Sequence, residues 1–562
     1  VDYLYQTNQA NFSKIPGMPI AYWASKNLLH DFEVGTRMDE LVDARQGLAT
    51  ADNNRFLRLW YEVPTNNISF HSTSIEDSIT SQKKWFPCNK GGSYRKWYGN
   101  YDYLVNWEND GEEVRHFTDE KGKVRSRPQN TDYYFREAIT WSDITSGNFS
   151  LRYRSLGSIP DHKGMSAFSK NHNLLIMILA LLNTPVGDYI FKMLNPTVSL
   201  EIGNFKSFPV LVDDRTELQS DKLSGKQVTL SKDDWDSFET SWDFTRHPLL
   251  THIADDKRNE VDGKLKNAFS LWQDEAQERF DQLKSNEEEL NRIFIDLYGL
   301  NDELTPEVAD KDVSVRLADE VRDIKSFLSY FVGIVLGRYS LDVEGLAFAG
   351  GEWDQAKYQS FVPNEDNLLL LNDADYFGDS RDIINRLKAF LTATFGADSV
   401  DENISYIASV VGKKADSNED AIRRYFVEDF FKDHKKIYQK RPIYWEFSSG
   451  KNNGFKALMY LHRYEPNELA MVRTNYLHPL QGQYELRIDQ LTQLASNETV
   501  ASQKKRFEKD LKHLGQQLNE IRKYDPLIQH IANQQIALDL DDGVVVNYEK
   551  LQDGSQILSK LK

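Results

Sequence analysis

Cys88 is the only cysteine in the chain. One thiol closes no internal disulfide and builds no thiolate zinc cluster, so a reducing, cytoplasmic setting is expected. Long apolar runs are also missing. The longest covers residues 174–182 and stops at Asn183 and Pro185. That is well short of the roughly 20 residues a membrane-spanning helix needs, and no membrane partner is expected. The N-terminus lacks the charged-then-apolar layout of a signal peptide. It opens on Val1 rather than Met, as expected of a chain that something precedes. Basic excess is missing as well. A formal net charge of −18 argues against wholesale non-specific binding to nucleic acid, because phosphate attraction is the sequence-independent part of such binding. It leaves room for a local basic surface.

The common catalytic signatures are absent too. No G-x-x-x-x-G-K-[ST] loop occurs, and no G-x-G-x-x-G follows a strand; the nearest glycine pair, Gly350-Gly351, lacks the spacing. The 12 histidines form no H-E-x-x-H, and no G-x-S-x-G elbow is present. Two D-H-K fragments, Asp161-His162-Lys163 and Asp433-His434-Lys435, resemble a piece of a restriction-type nuclease. That chemistry needs a further acid on an adjoining strand to hold Mg²⁺. Asn195-Pro196 begins like the adenine-methyltransferase motif, in which a second proline and a stacking aromatic follow. Thr197 and Val198 stand there instead, so these residues read as a helix stop.

What is present is length and aromatic bulk. A chain of 562 residues implies two to four domains. Its 27 Tyr, 30 Phe and 11 Trp supply core area and, where exposed, stacking faces for bases. Residues 1–30 read as a lead-in, with a helix starting around Tyr22. In residues 31–212 short apolar runs alternate with Gly, Asn, Asp and Pro turns, the texture of short strands and loops. A helix is predicted over 171–182, and a second from Pro185 to about Asn195. Residues 213–310 are acidic and helical. Leu265, Phe269, Trp272, Ala276, Leu283 and Leu290 form one apolar stripe, suited to internal packing or a short coiled coil. Residues 311–562 read as mainly helical, with one long helix over about 485–523 carrying Phe507, Leu511, Leu514, Leu518 and Ile521. The expected class is α+β: a mixed, β-rich domain, then a long-helix spacer, then a mainly helical C-terminal domain.

Basic residues concentrate in one interval. Residues 83–170 hold 15 Lys or Arg against 11 Asp or Glu, so this stretch is positive inside an acidic chain. Its cations interleave with aromatics in KKWFPCNKGGSYRKWYGNYDYL and NFSLRYRSLGS. Lys83, Lys84, Arg95, Lys96, Arg125, Arg127, Arg152 and Arg154 are the candidate contacts to DNA phosphates or base edges. A second cluster, VDARQGLATADNNRFLRLWYEV, offers Asn53, Asn54 and Arg55 on a loop, with Gly47 read as a tight turn.

DARQGLATADNNRFLRLWYEV, QKKWFPCNKGGSYRKWYGNYDYLVNWENDG and TDYYFREAITWSDITSGNFSLRYRS resemble the post-catalytic part of the PglX family, the adenine-specific DNA methyltransferases of BREX phage defence. NRIFIDLYGLNDELTPEV, DIKSFLSYFVGIVLGRYSLDVEGLAFAGGEWD, RPIYWEFSSGKNNGFKALMYLHRY and RTNYLHPLQGQYE continue the resemblance in order, over nearly all of residues 1–530. It implies a target recognition domain at 31–212, a helical spacer at 213–310 and a C-terminal domain at 311–562. The family's S-adenosylmethionine motif and its Asn-Pro-Pro-Tyr are missing, so no catalytic or cofactor residue carries over. The cofactor is expected only of a complete enzyme. Double-stranded DNA and other BREX proteins are the implied partners. An alternative is a protein-interaction scaffold of the defence complex, in which residues 213–562 dock other subunits or a phage-encoded DNA-mimic inhibitor.

Overall fold

The computed structural model describes residues 6–142, 149–195 and 200–561. Val1 and the Pro196, Thr197 and Val198 of the helix-stop reading lie outside them. Two compact units divide the chain: Val1–Trp60, Asn67–Ser241 and Asp274–Leu317 form the first, and Tyr61–Asn66, Trp242–Gln273 and Ala318–Lys562 the second. The architecture is mixed α+β, as the sequence predicts.

In the first unit the strands are short because turn residues interrupt every apolar run. They are β1 (Thr36–Arg37), β2 (Asp43–Arg45), β3 (Leu57–Leu59), β4 (Trp85–Asn89), β5 (Tyr103–Asn106), β6 (Ala138–Ser142), β7 (Arg152–Arg154), β8 (Ile159–Pro160), β9 (Gly164–Phe168) and β10 (Pro209–Val210). One sheet has the order β2-β9-β6-β7 and is antiparallel throughout. A second has the order β3-β5-β4-β8, with β4 and β8 parallel. β1 and β10 form a separate antiparallel pair.

The predicted helix is His172–Leu182. Asn171 caps it by accepting the Leu174 N–H at 3.3 Å. Every residue from Leu175 to Leu182 is buried, so this helix is apolar all round, as a core helix must be. Ile139, Trp141, Met165 and Ala167 share its core, and each fully buried Leu or Ile there stabilises by about 1.5–3 kcal/mol. Pro185 opens the next helix, Pro185–Leu194, at the position where its missing N–H costs nothing. Among the described residues no single helix is long and apolar enough to cross a membrane. The helix expected near Tyr22 starts later, at Lys26, where Ser25 provides the cap.

The apolar stripe of the acidic region lies on the helix Leu265–Leu297. All six predicted positions are buried, with Leu265, Phe269 and Trp272 in the second unit and Ala276, Leu283 and Leu290 in the first. The packing is within the chain.

The second unit holds a three-stranded antiparallel sheet, β11 (Leu368–Leu370), β13 (Lys456–Tyr460) and β12 (Tyr444–Ser448) in that order. Its core joins Leu368, Trp445, Phe447 and Met459 to Leu480, Tyr484, Leu514, Leu518 and Ile521. Here one expectation is corrected. The single helix predicted over 485–523 is a helical hairpin, His478–Asn497 and Ala501–Gln534. Glu498 is extended (φ −78°, ψ 129°), and the β-branched Thr499 and Val500 that follow favour such backbone.

Candidate nucleic-acid interface

β4 and β8 place a short segment, residues 46–49, between two others. Leu48 forms a parallel bridge with Asp161, and Ala49 an antiparallel bridge with Arg127. The Ala49 N–H donates to the Arg127 carbonyl at 3.0 Å and the Arg127 N–H to the Ala49 carbonyl at 2.8 Å. Asn130 donates to the Gln46 carbonyl at 2.8 Å. Gly47 is not at a turn: a Cβ there would stand 1.7 Å from the Pro160 carbonyl oxygen. The glycine is required by the close approach of two backbones.

This pairing sets the loop at 50–56 beside a tongue at 117–127. Asp52 accepts the Arg55 N–H at 3.1 Å and starts a one-turn helix, Asn53–Phe56. Asn53 accepts the Thr50 hydroxyl at 2.7 Å. The tongue is closed by the Thr118–Val124 bridge and by the Asp119 carboxylate, which accepts the N–H groups of Lys121 and Lys123, each at 3.0 Å. Gly122 makes its turn at φ +76°. Phe117 anchors the tongue on Phe56, with ring centroids 5.2 Å apart. Lys121, Lys123, Arg125 and Arg127 are all exposed, as are Asn53, Asn54 and Arg55.

Arg55 is held in place rather than left loose. It pairs with Glu113 at 2.7 Å and lies 5.2 Å over the Phe117 ring. A cleft of about 480 Å³ opens beside it, lined by Asn109, Glu112, Glu113, His116 and Thr118 among others. Farther along the same edge, Arg45 and Arg136 both stack on Tyr133, at 5.1 and 5.2 Å. The exposed Lys163 follows Asp161, whose carboxylate accepts the Lys163 N–H at 2.8 Å.

The other sequence candidates lie elsewhere. Lys83 and Lys84 are half-buried, and the Lys84 ammonium sits 5.6 Å over Trp85. Arg95 is buried. It donates to Asp234 at 2.8 Å, to the Ser231 carbonyl at 2.8 Å and to the Tyr98 carbonyl at 2.6 Å. Lys96 meets Glu287 at 3.4 Å; burial would lower its pKa, and Glu287, Tyr94 and Asp312 together more than offset that. Arg152 is 1% exposed, and its pKa falls to about 10 because burial and the neighbouring Arg154 and Arg95 disfavour its charge. Arg154, equally buried, donates to Ser158 at 2.8 Å and lies 3.8 Å over Tyr101. Arg95, Lys96, Arg152 and Arg154 are thus occupied inside the fold. The surface set consists of Asn53, Asn54, Arg55, Arg125 and Arg127, to which the structure adds Lys121, Lys123, Arg136 and Lys163. In the sequence, Lys121, Lys123 and Lys163 are marked by charge alone, whereas Arg136 also follows Tyr133, Tyr134 and Phe135.

The D-H-K fragments have structural duties. Asp161 shapes its own turn. The buried His434 accepts the Ile443 and Tyr444 N–H groups at 3.1 and 3.0 Å, while Asp433 pairs with Lys325. Gly350 and Gly351 both have positive φ, at +96° and +86°. A Cβ on Gly350 would meet Pro64 at 2.6 Å, so the close approach of that proline accounts for the glycine.

No protein-family model matches the chain. It is 51% identical over 565 residues to an adenine-specific methyltransferase PglX of Lacticaseibacillus casei (strain Zhang), covering 100% of this chain and 46% of that protein. It is 34% identical over 584 residues to an adenine-specific methyltransferase BrxX of Escherichia coli O9:H4 (strain HS), covering 97% of this chain and 45% of that protein. The chain spans about half the length of the curated relatives it matches.

Proposed function

We propose, for a chain that belongs to the PglX/BrxX family of adenine-specific methyltransferases, that it is the part which binds duplex DNA and recognises the sequence to be methylated in BREX phage defence. The observation that carries this reading is the exposed cationic edge of Arg55, Lys121, Lys123, Arg125 and Arg127 on a protein of net charge −18. Such an edge attracts phosphates locally while the rest of the surface repels them, which limits non-specific retention. The main-chain bridges at Ala49 hold loop and tongue in fixed relation, so the polar tips of Asn53 and Asn54 reach base edges at a defined distance from the phosphate contacts.

Methyl transfer to an adenine amine requires the base to leave the duplex stack, at a cost of a few kcal/mol. The role of this chain is to hold the duplex while that happens. S-adenosylmethionine and the reacting residues belong to the remainder of a longer protein, and the setting is cytoplasmic, with other BREX proteins as partners.

The test is duplex binding by the chain across a salt series. Binding that falls steeply with salt, and that weakens when Lys121, Lys123 and Arg125 become Glu, supports the reading; absence of duplex binding rejects it. A second reading, a scaffold for other defence proteins, draws on the exposed acidic face of the helix Leu265–Leu297 at Asp274, Glu278 and Asp281. A scaffold face allows a protein partner and DNA to bind together. A DNA-mimic inhibitor on the cationic edge excludes DNA.

A further inference from the structure

The helix Ala501–Gln534 carries Lys504, Lys505, Arg506, Lys509 and Lys512 within its first turns, against Glu508 and Asp510. All five basic side chains are exposed. Arg506 has an acid partner, Asp416 at 3.2 Å; the four lysines have none among the described residues. Spacings of four and three put Lys505, Lys509 and Lys512 on one face, along about 10 Å of helix at the usual rise.

Helix physics alone does not favour this arrangement. The start of a helix is its positive end, where a cation is disfavoured by a few tenths of a kcal/mol, and Lys504 and Lys505 stand in or next to that first turn. The first turn holds no acid to offset them, and Val500 provides no side-chain cap. Glu508 is the one acid at helical spacing from these lysines, facing Lys504, Lys505 and Lys512, so the run keeps a positive excess that helix stability does not require. The neighbours of Lys505, Lys509 and Lys512 at helical spacing are Ala501, Ser502, Arg506, Glu508, His513, Gly515 and Gln516; Phe507, beside Lys504, packs against the core of the second unit, so no large apolar anchor stands on the lysine face. Protein interfaces are built on such anchors and are depleted in lysine. A phosphate backbone needs only charge. The neighbouring cleft of about 1210 Å³ mixes Arg487 and Arg506 with Asp416 and Asp510, so a polyanion is drawn to the lysine face and not to the cleft.

We propose that the lysine face of the helix Ala501–Gln534 is a second contact for the phosphate backbone of DNA, made by the second unit and indifferent to sequence. It rests on the reading that the chain binds duplex DNA. The experiment compares three proteins on a duplex of about 30 base pairs over a salt series: the wild-type chain, the tongue variant described above, and a variant with Lys504→Gln, Lys505→Gln, Lys509→Gln and Lys512→Gln. These four residues are exposed, so thermal unfolding of the variant is expected to match wild type. The expected result is at least about a tenfold loss of affinity at low salt and a drop of about 2 to 4 in the slope of log affinity against log salt, with unchanged motif enrichment from a randomised duplex pool. Wild-type affinity and slope in the lysine variant, alongside loss in the tongue variant, overturn the proposal and leave DNA recognition standing. Absence of duplex binding by wild type removes both. If the lysine variant loses affinity for poly-glutamate and keeps it for duplex, the face serves an acidic protein, and the proposal is wrong.

Discussion

At the scale of single residues, the same side-chain type does opposite work a few positions apart. Arg95 is buried against Asp234, whereas Arg127 reaches solvent from a backbone bridge. Arg95→Ala strips one partner from a buried carboxylate and is expected to cost about 3 kcal/mol or more in denaturant unfolding. Arg127→Ala is expected to cost less than about 0.5 kcal/mol there and to weaken duplex binding. Asp31 gives a pH signature. Burial, with a smaller contribution from Glu303, raises its pKa to about 7, so the folded protein holds this proton over a range where the unfolded chain has lost it. Its stabilising effect is therefore complete below about pH 4 and is lost as pH rises toward 7. Asp31→Asn removes that loss. The variant should gain on wild type by roughly 2–4 kcal/mol between pH 4 and 7 in urea unfolding, and parallel pH profiles would refute the assignment.

At the scale of elements, the helical hairpin offers a simple check. Val500 has the extended backbone of a cap residue (φ −81°, ψ 114°) but no side-chain acceptor. Val500→Ser supplies one and is expected to stabilise by about 0.5–1 kcal/mol in thermal unfolding. The helices were the readable part of this sequence. Asn171 before an apolar run, Pro185 after it, and the stripe from Leu265 to Leu290 each express a local rule that burial then satisfied. The break at Glu498 was hidden because Leu491 and Leu514 keep apolar residues recurring on both sides of it, and periodicity does not register a reversal of direction. The tongue was hidden for another reason. Arg152 and Arg125 are alike in a charge count, and only tertiary pairing separates the buried cation from the exposed one.

At the scale of the whole molecule, the chain spans about half of the relatives it matches, and its sequence lacks the glycine spacing of a cofactor loop. Isothermal titration of the chain with S-adenosylmethionine is expected to show no binding heat, whereas duplex DNA binds. Heat on adding the cofactor would place a cofactor site in this chain and revise the division of labour. Net charge acts at this scale too. An acidic surface with two cationic faces, one in each unit, predicts that affinity for DNA falls with added salt faster than either face alone would produce.

The tongue at 117–127 is fastened by main-chain hydrogen bonds, the Asp119 turn, Gly122 and the Phe117 anchor. None of these depends on what stands at positions 120, 121, 123 or 125. Mutation at those four sites is therefore nearly free of folding consequences, and selection can rewrite them independently of the scaffold. If the tongue contacts DNA as proposed, a lineage under pressure to change that contact has here a dial separate from the machine it adjusts.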